Sequence, residues 1–323
     1  MNSSMDAEDL RLLRESLAHA VTDAGSGGLR AAVAGFGWHE LLAEHPDAAV
    51  STLATLQGEH LTATSLLDDV VLAAAGIKET ARVVYPDLPA AEPTSRLEGG
   101  TLLVRGVAAA TGDERAVVPA VRDGEPVIVT TDLTGAATAD PAAGLDPGAG
   151  WALVRTESRV RPDQVLDGPE ALARWRAMRA AGQRALAYEL IAIGRRMLAG
   201  AVEHVGTREQ FGRRLGAFQA VKHALADVRL WQECAELAAE ASWEDDPVEP
   251  ARLAKILAGR FVRTAAANCQ QVLGGMGFTW EHEFHRYLRR GLLLEPLLGS
   301  AARLRADLGS RLRTDGVPKL SAL

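Results

Sequence analysis

The apolar residues in the second half of the chain recur at three- and four-residue intervals, the spacing of an α-helix that buries one face. Prolines and glycines interrupt the pattern at a few points and divide it into four long segments. The predicted helices cover residues 169–204, 218–242, 250–274 and 292–312. Because four successive amphipathic helices must cover one another's apolar faces, we predict a four-helix bundle for this half.

The first half is predicted to contain two other kinds of structure. Helical spacing continues to about residue 85, with a helix at 62–72 and a short helix that ends at Val83. Three prolines fall between residues 86 and 93, and short apolar runs then alternate with glycine-containing turns up to residue 160. This pattern predicts a small antiparallel β-domain with a long loop at 135–150. The predicted domains are residues 1–88 (N-terminal α-helical domain), 89–162 (middle β-domain) and 163–323 (C-terminal bundle).

The composition favours a globular protein and argues against nucleic acid as the main partner. Of 323 residues, 47% are hydrophobic and 24% are charged, and the formal net charge is −7, whereas a DNA-binding protein needs an electropositive surface. No apolar stretch reaches ~18 residues without a charge, and no basic segment precedes an apolar run at the N-terminus. We therefore expect no transmembrane helix, no signal peptide and a cytoplasmic location. Cys234 and Cys269 both lie in helical patterns and are expected to be buried thiols.

Two motifs in the second half contain residues suited to binding a ligand. The first is Arg-Glu-Gln-Phe-Gly at 208–212, followed by Phe218 and Gln219, and the second is Gln-Val-Leu-Gly-Gly-Met-Gly at 271–277. An arginine beside an aromatic ring and an amide suits an anionic, planar ligand. Three glycines within four residues end a helix and let other groups approach the backbone. Each motif alone is also compatible with an ordinary helix end.

In this order and spacing, the two motifs resemble those of the acyl-CoA dehydrogenase family. The predicted order of helices, small β-domain and four-helix bundle also resembles the fold of that family. The resemblance implies an FAD cofactor whose dinucleotide end is held partly by the neighbouring subunit. The implied contacts are Arg208, Gln210, Phe211, Gln219, Gln271, Gly274 and Gly275, with Gly212 and Gly277 completing the motifs.

The residues that the resemblance assigns to catalysis are missing. The family's reaction removes an α-proton from an acyl-CoA with a carboxylate base and passes a hydride to the flavin. The two positions at which family members place this base are occupied here by Leu298 and Gly182. Glu295 and Glu189 lie about one and two helical turns from these positions and are kept as fallback bases. The family's flavin-ring contacts in the β-domain are not recognisable in this sequence.

Cofactor-contact motifs without a base resemble the shorter subunit of bacterial α2β2 heteromeric acyl-CoA dehydrogenases. The Phe-Thr-Trp-Glu-His run at 278–282 resembles in particular the subunits that act on steroid side-chain CoA esters. The leading hypothesis is a subunit that completes the FAD site of a homologous partner. That partner supplies the catalytic glutamate, and electrons pass to an electron-transfer flavoprotein or a similar acceptor. The alternatives are a self-sufficient dehydrogenase that uses Glu295 or Glu189, and a family member with a binding or DNA-protective role.

A cluster after the glycines imitates a metal site. It comprises Glu281, His282, Glu283 and His285, with the two histidines three residues apart. The resemblance instead implies the start of a helix at this point, capped by a Thr-x-Glu stretch at 279–281. We therefore expect no metal here.

Overall fold

The computed structural model describes residues 7–24, 33, 35, 37–62, 66–109, 115–133, 140–141, 145–243 and 248–316. These residues form nine α-helices, a nine-stranded sheet and a separate two-stranded hairpin. The helices are α1 (Ala7–Ala24), α2 (Trp38–Glu44), α3 (Pro46–His60), α4 (Leu66–Ala74), α5 (Gly168–Thr207), α6 (Gln219–Ala241), α7 (Val248–Leu273), α8 (Phe284–Leu294) and α9 (Ala301–Asp315). The strands are β1 (Arg82–Val83), β2 (Tyr85–Pro86), β3 (Ser95–Glu98), β4 (Thr101–Ala109), β5 (Arg115–Arg122), β6 (Glu125–Asp132), β7 (Asp140–Pro141), β8 (Trp151–Arg159), β9 (Val165–Leu166), β10 (Glu209–Gln210) and β11 (Arg213–Arg214).

Helix α5 is the element against which the other helices pack. It is 40 residues long and contacts α3 and α4 from the first half as well as α6, α7 and α8. Its approach to α7 is close, because a Cβ atom added to Gly194 would lie 2.4 Å from Cε1 of Phe261. Buried side chains of α1 to α4 and of the bundle form one continuous core. The N-terminal helices are therefore fixed against the bundle.

The β-sheet has the strand order β7-β8-β4-β3-β5-β6-β9, with β1 paired to β5 and β2 paired to β4. Most neighbouring strands are antiparallel, but β5 runs parallel to both β1 and β3. The prediction of a β-domain is confirmed, and the prediction that it is purely antiparallel is wrong. Strand β5 lies beside β3, on the side opposite β4, and runs in the same direction as β3, whereas β4 runs in the opposite direction.

The predicted helix ending at Val83 is also wrong, since this segment forms β1 and β2. Every residue from Ala81 to Tyr85 is buried, as expected for a strand covered on both faces. Val83 and Val84 are β-branched, which favours an extended backbone over a helix. The period of such a short apolar run does not distinguish the two structures.

The first three predicted bundle helices agree with α5, α6 and α7 to within a few residues, but the fourth is two helices. Helix α8 begins at Phe284, before the predicted start, and ends at Leu294. Pro296 lacks a backbone donor, and Gly299 has a φ of 100°, so the helix cannot continue through this turn. Helix α9 then begins at Ala301, where the Ser300 side chain accepts a hydrogen bond from the Arg303 backbone.

The predicted loop at 135–150 lies partly outside the described residues, and its described part contains β7 and a 3₁₀ turn at Pro147–Ala149. Cys269 is buried as expected, whereas Cys234 is only partly buried because α6 lies at the edge of the bundle. Within the described ranges, no helix is both long enough and apolar enough to cross a membrane.

Arg290 on α8 joins all three parts of the fold. Its side chain is 3% exposed, and its Nε donates to Oδ2 of Asp146 at 2.6 Å. Its two other nitrogens donate to the carbonyl oxygens of Thr62 at 3.0 Å and Leu61 at 3.1 Å. These bonds connect the bundle to the end of α3 and to the segment before β8, so Arg290 fixes their relative positions.

Candidate cofactor-contact site and base position

The Arg-Glu-Gln-Phe-Gly motif forms a tight hairpin directly after α5. Glu209 and Gln210 in β10 pair with Arg214 and Arg213 in β11. The turn is formed by Phe211 and Gly212, whose φ angles are 54° and 75°. Two successive positive φ angles are typical of the turn that matches the twist of a hairpin. The turn leaves the Phe211 side chain 90% exposed, although its ring has an edge contact with Phe218 at 6.1 Å between ring centroids.

The glycine-rich motif forms the end of α7 and the 3₁₀ turn that follows it (Gly274–Phe278). Gly274 has a φ of 58°, a left-handed conformation typical of a helix C-cap. A Cβ atom added to Gly274 or Gly275 would meet no atom within 4 Å, so the backbone here is open to an approaching group. Gly277 differs from these two, because a Cβ atom there would lie 2.3 Å from Nε2 of Gln270. A side chain at Gly277 would displace the Gln270 amide and crowd Cβ of Leu273, 3.2 Å away.

The two motifs lie at the same end of the bundle. The hairpin follows the C-terminus of α5, and the glycine turn follows the C-terminus of α7. His204 lies near Arg208 of the first motif and near His282, which follows the second motif, since the pKa of His204 is lowered first by burial and then by these two groups. Asn268 on α7 also donates from Nδ2 to the carbonyl oxygen of Ala224 on α6 at 2.9 Å. The structure therefore brings together two motifs that are separate in sequence.

All of the predicted cofactor-contact residues are on the surface. They are Arg208, Gln210, Phe211, Gln219, Gln271, Gly274 and Gly275. Gln271, Gly274 and Phe278 line a groove of about 430 Å³ between α7 and α8, together with Arg263 and Leu288. Two aromatic side chains that follow the glycines are also largely exposed, Phe278 at 78% and Trp280 at 76%. Phe278 was noted from the sequence only as part of the run at 278–282 and was not assigned a cofactor contact.

The two positions at which a base was expected are in direct contact. A Cβ atom added to Gly182 on α5 would lie 2.4 Å from Cδ1 of Leu298 and 3.2 Å from Cγ2 of Val71. Leu298 is 1% exposed and its carbonyl oxygen accepts a hydrogen bond from Nε2 of Gln183 at 2.9 Å. The two alternative base positions therefore meet at one point of the fold. In this chain, hydrocarbon fills that point.

The turn that contains Leu298 is held by a buried lysine that sequence reasoning missed. Lys255 on α7 is fully buried, and its Nζ donates to the carbonyl oxygens of Glu295 at 2.6 Å and Gly299 at 3.3 Å. Burial lowers the pKa of Lys255 to about 8, with Glu295 opposing the change. A lysine on the apolar face of a predicted helix is the feature of the sequence that could have indicated this buried charge.

Glu295, one of the fallback bases, has a structural role. Its Oε1 accepts a hydrogen bond from the backbone nitrogen of Ala301 at 2.9 Å, which satisfies a free donor at the start of α9. Its Oε2 lies 3.6 Å from a guanidinium nitrogen of Arg263, and the side chain is 4% exposed. A carboxylate held in this way is not directed at the contact between Gly182 and Leu298.

Glu189, the other fallback base, is enclosed elsewhere along α5. It stands two helical turns from Gly182, a distance of roughly 10 Å along the helix axis. Its Oε1 lies 3.9 Å from NH1 of Arg290, and it lines a small cavity of about 20 Å³ beside Trp38. Burial raises the pKa of Glu189 to about 7, with Arg290 lowering it and Asp146 raising it further.

The histidines after the glycine turn are used in backbone contacts. Nδ1 of His282 accepts a hydrogen bond from the backbone of Phe284, the first residue of α8, at 3.1 Å. Nδ1 of His285 lies 2.7 Å from the carbonyl oxygen of His282. The expected cap at 279–281 is therefore wrong: the N-cap residue of α8 is Glu283, whose side chain makes no capping hydrogen bond, and the His282 ring accepts from the first backbone donor of the helix. Among the described residues, no group of three or more side chains is placed to hold a metal ion.

Known proteins match this chain both over the bundle alone and over most of its length. Residues 169–313 match the family model of the acyl-CoA dehydrogenase C-terminal domain. Acyl-CoA dehydrogenase IpdE2 of Mycobacterium tuberculosis is 29% identical over 311 residues, which are 88% of this chain and 91% of that protein. Acyl-CoA dehydrogenase FadE34 of the same organism is 36% identical over 177 residues, 47% of this chain, but the match spans only a quarter of the length of that relative.

Solved structures resemble the whole chain. A variant of the Tcur3481-Tcur3483 steroid ACAD has a TM-score of 0.74 at 22% identity, covering 95% of this chain and 98% of that one. The ChsE4-ChsE5 complex from Mycobacterium tuberculosis has a TM-score of 0.68 at 22% identity, covering 98% and 90%. At this identity the likeness concerns the fold alone. The bundle of this chain is therefore similar to the acyl-CoA dehydrogenase C-terminal domain, and the whole chain has the fold of these solved structures.

Proposed function

We propose that this chain is the base-less subunit of a heteromeric, FAD-dependent acyl-CoA dehydrogenase. The observation on which the proposal rests is the contact between Gly182 and Leu298, which fills the expected base position with hydrocarbon. Abstraction of a proton from an acyl-CoA requires a positioned base within hydrogen-bonding reach. Neither residue can accept a proton, so a homologous partner must supply the carboxylate.

The surface at the end of the bundle supports a role in a shared cofactor site. Several large exposed apolar side chains at one end of a molecule favour an interaction site, whereas single ones are normal on a protein surface. Phe211, Phe278 and Trp280 are exposed aromatics that belong to or directly follow the two motifs, and Phe278 lines the same groove as Gly274. None of them is needed to fill this chain's own core, which fits contacts to a ligand held by another subunit.

The contact residues have chemistry that suits a dinucleotide. FAD, when bound, supplies the hydride acceptor of the reaction. We expect the Arg208 guanidinium to neutralise the diphosphate and the ring of Phe211 to pack along the cofactor. The open backbone at Gly274 and Gly275 admits a close approach that a side chain would prevent. The role of this chain is then to bind and orient the cofactor.

The names of the related proteins support the choice of substrate class. One structural neighbour is described as a steroid ACAD and another as a complex of two chains. We propose that the substrate is a steroid side-chain CoA ester and that the reaction is its α,β-desaturation. We further propose that the enzyme is an α2β2 assembly in the cytoplasm and that it passes electrons to an electron-transfer flavoprotein or a similar acceptor. The selectivity for the acyl group would be determined mainly by the partner, because the base position of this chain is filled.

Co-expression tests the proposal. The chain alone should retain little FAD, and co-expression with a base-containing homologue should yield a yellow complex that oxidises acyl-CoA. A stable homo-oligomer that holds stoichiometric FAD and oxidises an acyl-CoA would refute it. Phe211→Ser in the complex should weaken FAD retention, whereas a substitution of exposed Arg305, far along the chain on α9, should not.

A second candidate, a self-sufficient dehydrogenase, is favoured by one observation. The pKa of Glu189 is raised to about 7, which is the range expected of a general base. Because a true base contributes several powers of ten to turnover, Glu189→Gln and Glu295→Gln distinguish the two candidates. The third alternative, a DNA-protective role, predicts a salt-dependent shift of DNA mobility, which the net charge of −7 disfavours.

A further inference from the structure

Helix α6 has two apolar faces, and the bundle covers one of them. The face that packs into the bundle carries Val228, Gln232, Ala235 and Ala239. On the opposite side, Leu230 is 57% exposed and Leu237 is 65% exposed. Residues seven apart in a helix point in nearly the same direction, so the two leucines lie on one line along the outside of α6. Single exposed leucines are normal on a surface, but an aligned pair on a helix that already packs through its other face indicates a second contact.

The two leucines belong to a longer uncharged stripe, which we call the α6 stripe. Its members are three or four residues apart, the spacing of side chains that share one face of a helix. The stripe comprises Ala226, Leu230, Cys234, Leu237 and Ala241. Both alanines are exposed and Cys234 is partly buried, so the stripe is open to solvent along most of α6. Alanines at its ends and leucines near its middle allow another helix to approach closely.

The α6 stripe is symmetric along the helix. The spacing from Ala226 to Leu230 equals the spacing from Leu237 to Ala241, with Cys234 close to the middle. If a second copy of α6 lies antiparallel with its Leu237 opposite Leu230, then Ala241 of that copy lies opposite Ala226. Every leucine then packs on a leucine, and every end alanine on an alanine. A two-fold contact between identical helices requires such symmetry, whereas a contact with a different chain does not.

The charges beside the α6 stripe fit the same antiparallel pairing. The exposed residues Arg229 and Glu240 are about three helical turns apart, so both stand on one flank of the stripe. In the register that pairs the leucines, Arg229 of one copy lies about 3 Å along the helix axis from Glu240 of the other. The two-fold axis repeats this pair, so two pairs of opposite charge enclose the leucines. The acid nearest the axis, Glu233, is already paired with Arg229 of its own helix.

We propose that the α6 stripe is the surface through which two copies of this chain bind each other, with α6 antiparallel to α6. The contact does not depend on FAD; its place in an α2β2 assembly, where it joins the two base-less subunits, rests on the function proposed above. The register leaves the start of α6 free. The second helix ends opposite Ala226, and Gln219, one of the proposed FAD contacts, lies about 10 Å further along the axis.

Cross-linking of Cys234 tests the contact on the unmodified chain. Packed helices have axes about 8–10 Å apart, and Cys234 lies close to the two-fold axis, so the two Cys234 Cα atoms are about 6 Å apart, within reach of a disulfide. Oxidation of the full-length chain with copper phenanthroline should give a covalent dimer on a non-reducing gel. Cys269, the other cysteine of the chain, is buried. Cys234→Ser should abolish the dimer band and Cys269→Ala should retain it. Absence of the band from the wild type overturns the proposal.

Substitutions at exposed positions of α6 test the register. Analytical ultracentrifugation should show a dimer for the wild-type chain. Leu230→Asp/Leu237→Asp should raise the dissociation constant about a hundredfold or more, because four leucines lose their contacts. Leu12→Asp, at an exposed leucine of α1, is the matched control and should leave the dimer intact. Arg229→Glu should weaken the dimer, and adding Glu240→Arg should restore it. An unchanged dimer in the double aspartate variant, with thermal unfolding like that of the wild type, overturns the proposal.

The reconstituted complex separates this contact from the shared FAD site. Leu230→Asp/Leu237→Asp should halve the mass of the α2β2 complex and leave heterodimers that still hold FAD. Dissociation of the same complex into single chains would assign the α6 stripe to the homologous partner and overturn the proposal. A chain that cross-links at Cys234 but forms no flavin complex with any base-containing homologue would refute the proposed function and support the contact between copies.

Discussion

Glu189→Gln is expected to stabilise the protein above pH 7 without reducing the activity of the complex. The Glu189 carboxylate is enclosed between α5 and the N-terminal helices, and burial raises its pKa from 4.5 to about 7. Because the folded state prefers the protonated form, ionisation of Glu189 opposes folding. The difference of about 2.5 between the two pKa values corresponds to about 3 kcal/mol of lost stability.

The sign and the pH range follow from the two pKa values. Below pH 4.5 the carboxyl group is protonated in both states and contributes no penalty. Between pH 4.5 and about 7 the folded state binds more protons than the unfolded state, so stability falls as pH rises. Above pH 7 the penalty is complete, and Glu189→Gln should recover up to about 3 kcal/mol. Arg290 remains satisfied in the variant, because it still donates to Asp146 and to two carbonyl oxygens.

Urea unfolding of the wild type and of Glu189→Gln at several pH values between 5 and 8 measures this effect. The two curves of unfolding free energy against pH should converge near pH 4.5 and separate as pH rises. Glu233→Gln, at a half-exposed position on α6, is the control and should differ from wild type by less than about 0.5 kcal/mol. A variant that is less stable at pH 8, or that has the same pH slope as wild type, would refute the reasoning.

Three further predictions concern other residues. Arg290→Met should lower the unfolding free energy by about 3–5 kcal/mol in urea titration, because it leaves the Asp146 carboxylate without its buried partner, whereas Arg286→Met at an exposed position should have little effect. Phe211→Ser should change the unfolding free energy by less than about 0.5 kcal/mol, since the side chain is 90% exposed. It should nevertheless reduce the amount of flavin that the complex retains in gel filtration, and unaltered retention would contradict the role assigned to Phe211. Burial raises the pKa of Cys269 to about 12, so a thiol reagent at pH 8 should label Cys234 first and Cys269 only after unfolding. Mass spectrometry of tryptic peptides measures the two labelling rates, and equal rates would contradict this prediction.

The repeated helical spacing of apolar residues predicted the long helices reliably. It located α5, α6 and α7 to within a few residues, because a long helix repeats its apolar spacing many times. It failed at Arg82–Val83 and at Glu295–Ser300, where the segments are too short for a period to be measured. At the second of these, Pro296 and the glycine after Leu298 were visible signals of a break.

The residues of the candidate site could be predicted from their motifs, but their contacts in the folded chain could not. Arg208 and Gly274 were found from their motifs, and the structure places both on the surface at one end of the bundle. The hairpin at 209–214 was missed because its two-residue strands have no measurable alternation. The contact between Gly182 and Leu298 depends on the packing of α5 against a turn far along the chain, which local patterns do not specify.

The buried polar groups were the least predictable part. Lys255 and Arg290 have ordinary positions in their helical patterns, and only the tertiary structure reveals the carbonyl oxygens that they bind. A buried charge is tolerated only where such partners exist, so its role is a property of the assembled fold. The two glutamates considered as bases illustrate the point, since Glu295 caps α9 and Glu189 lies beside Arg290.

The most direct test of the central claim is to ask which chain of the reconstituted complex supplies the base. Acyl-CoA-dependent bleaching of the flavin should be recorded by rapid mixing for two altered complexes, one with Glu189→Gln and Glu295→Gln in this chain, the other with the partner's base carboxylate replaced by an amide. We expect a bleaching rate close to wild type in the first complex and a loss of several powers of ten in the second. A large loss in the first complex, with flavin still bound and the fold intact, would contradict it.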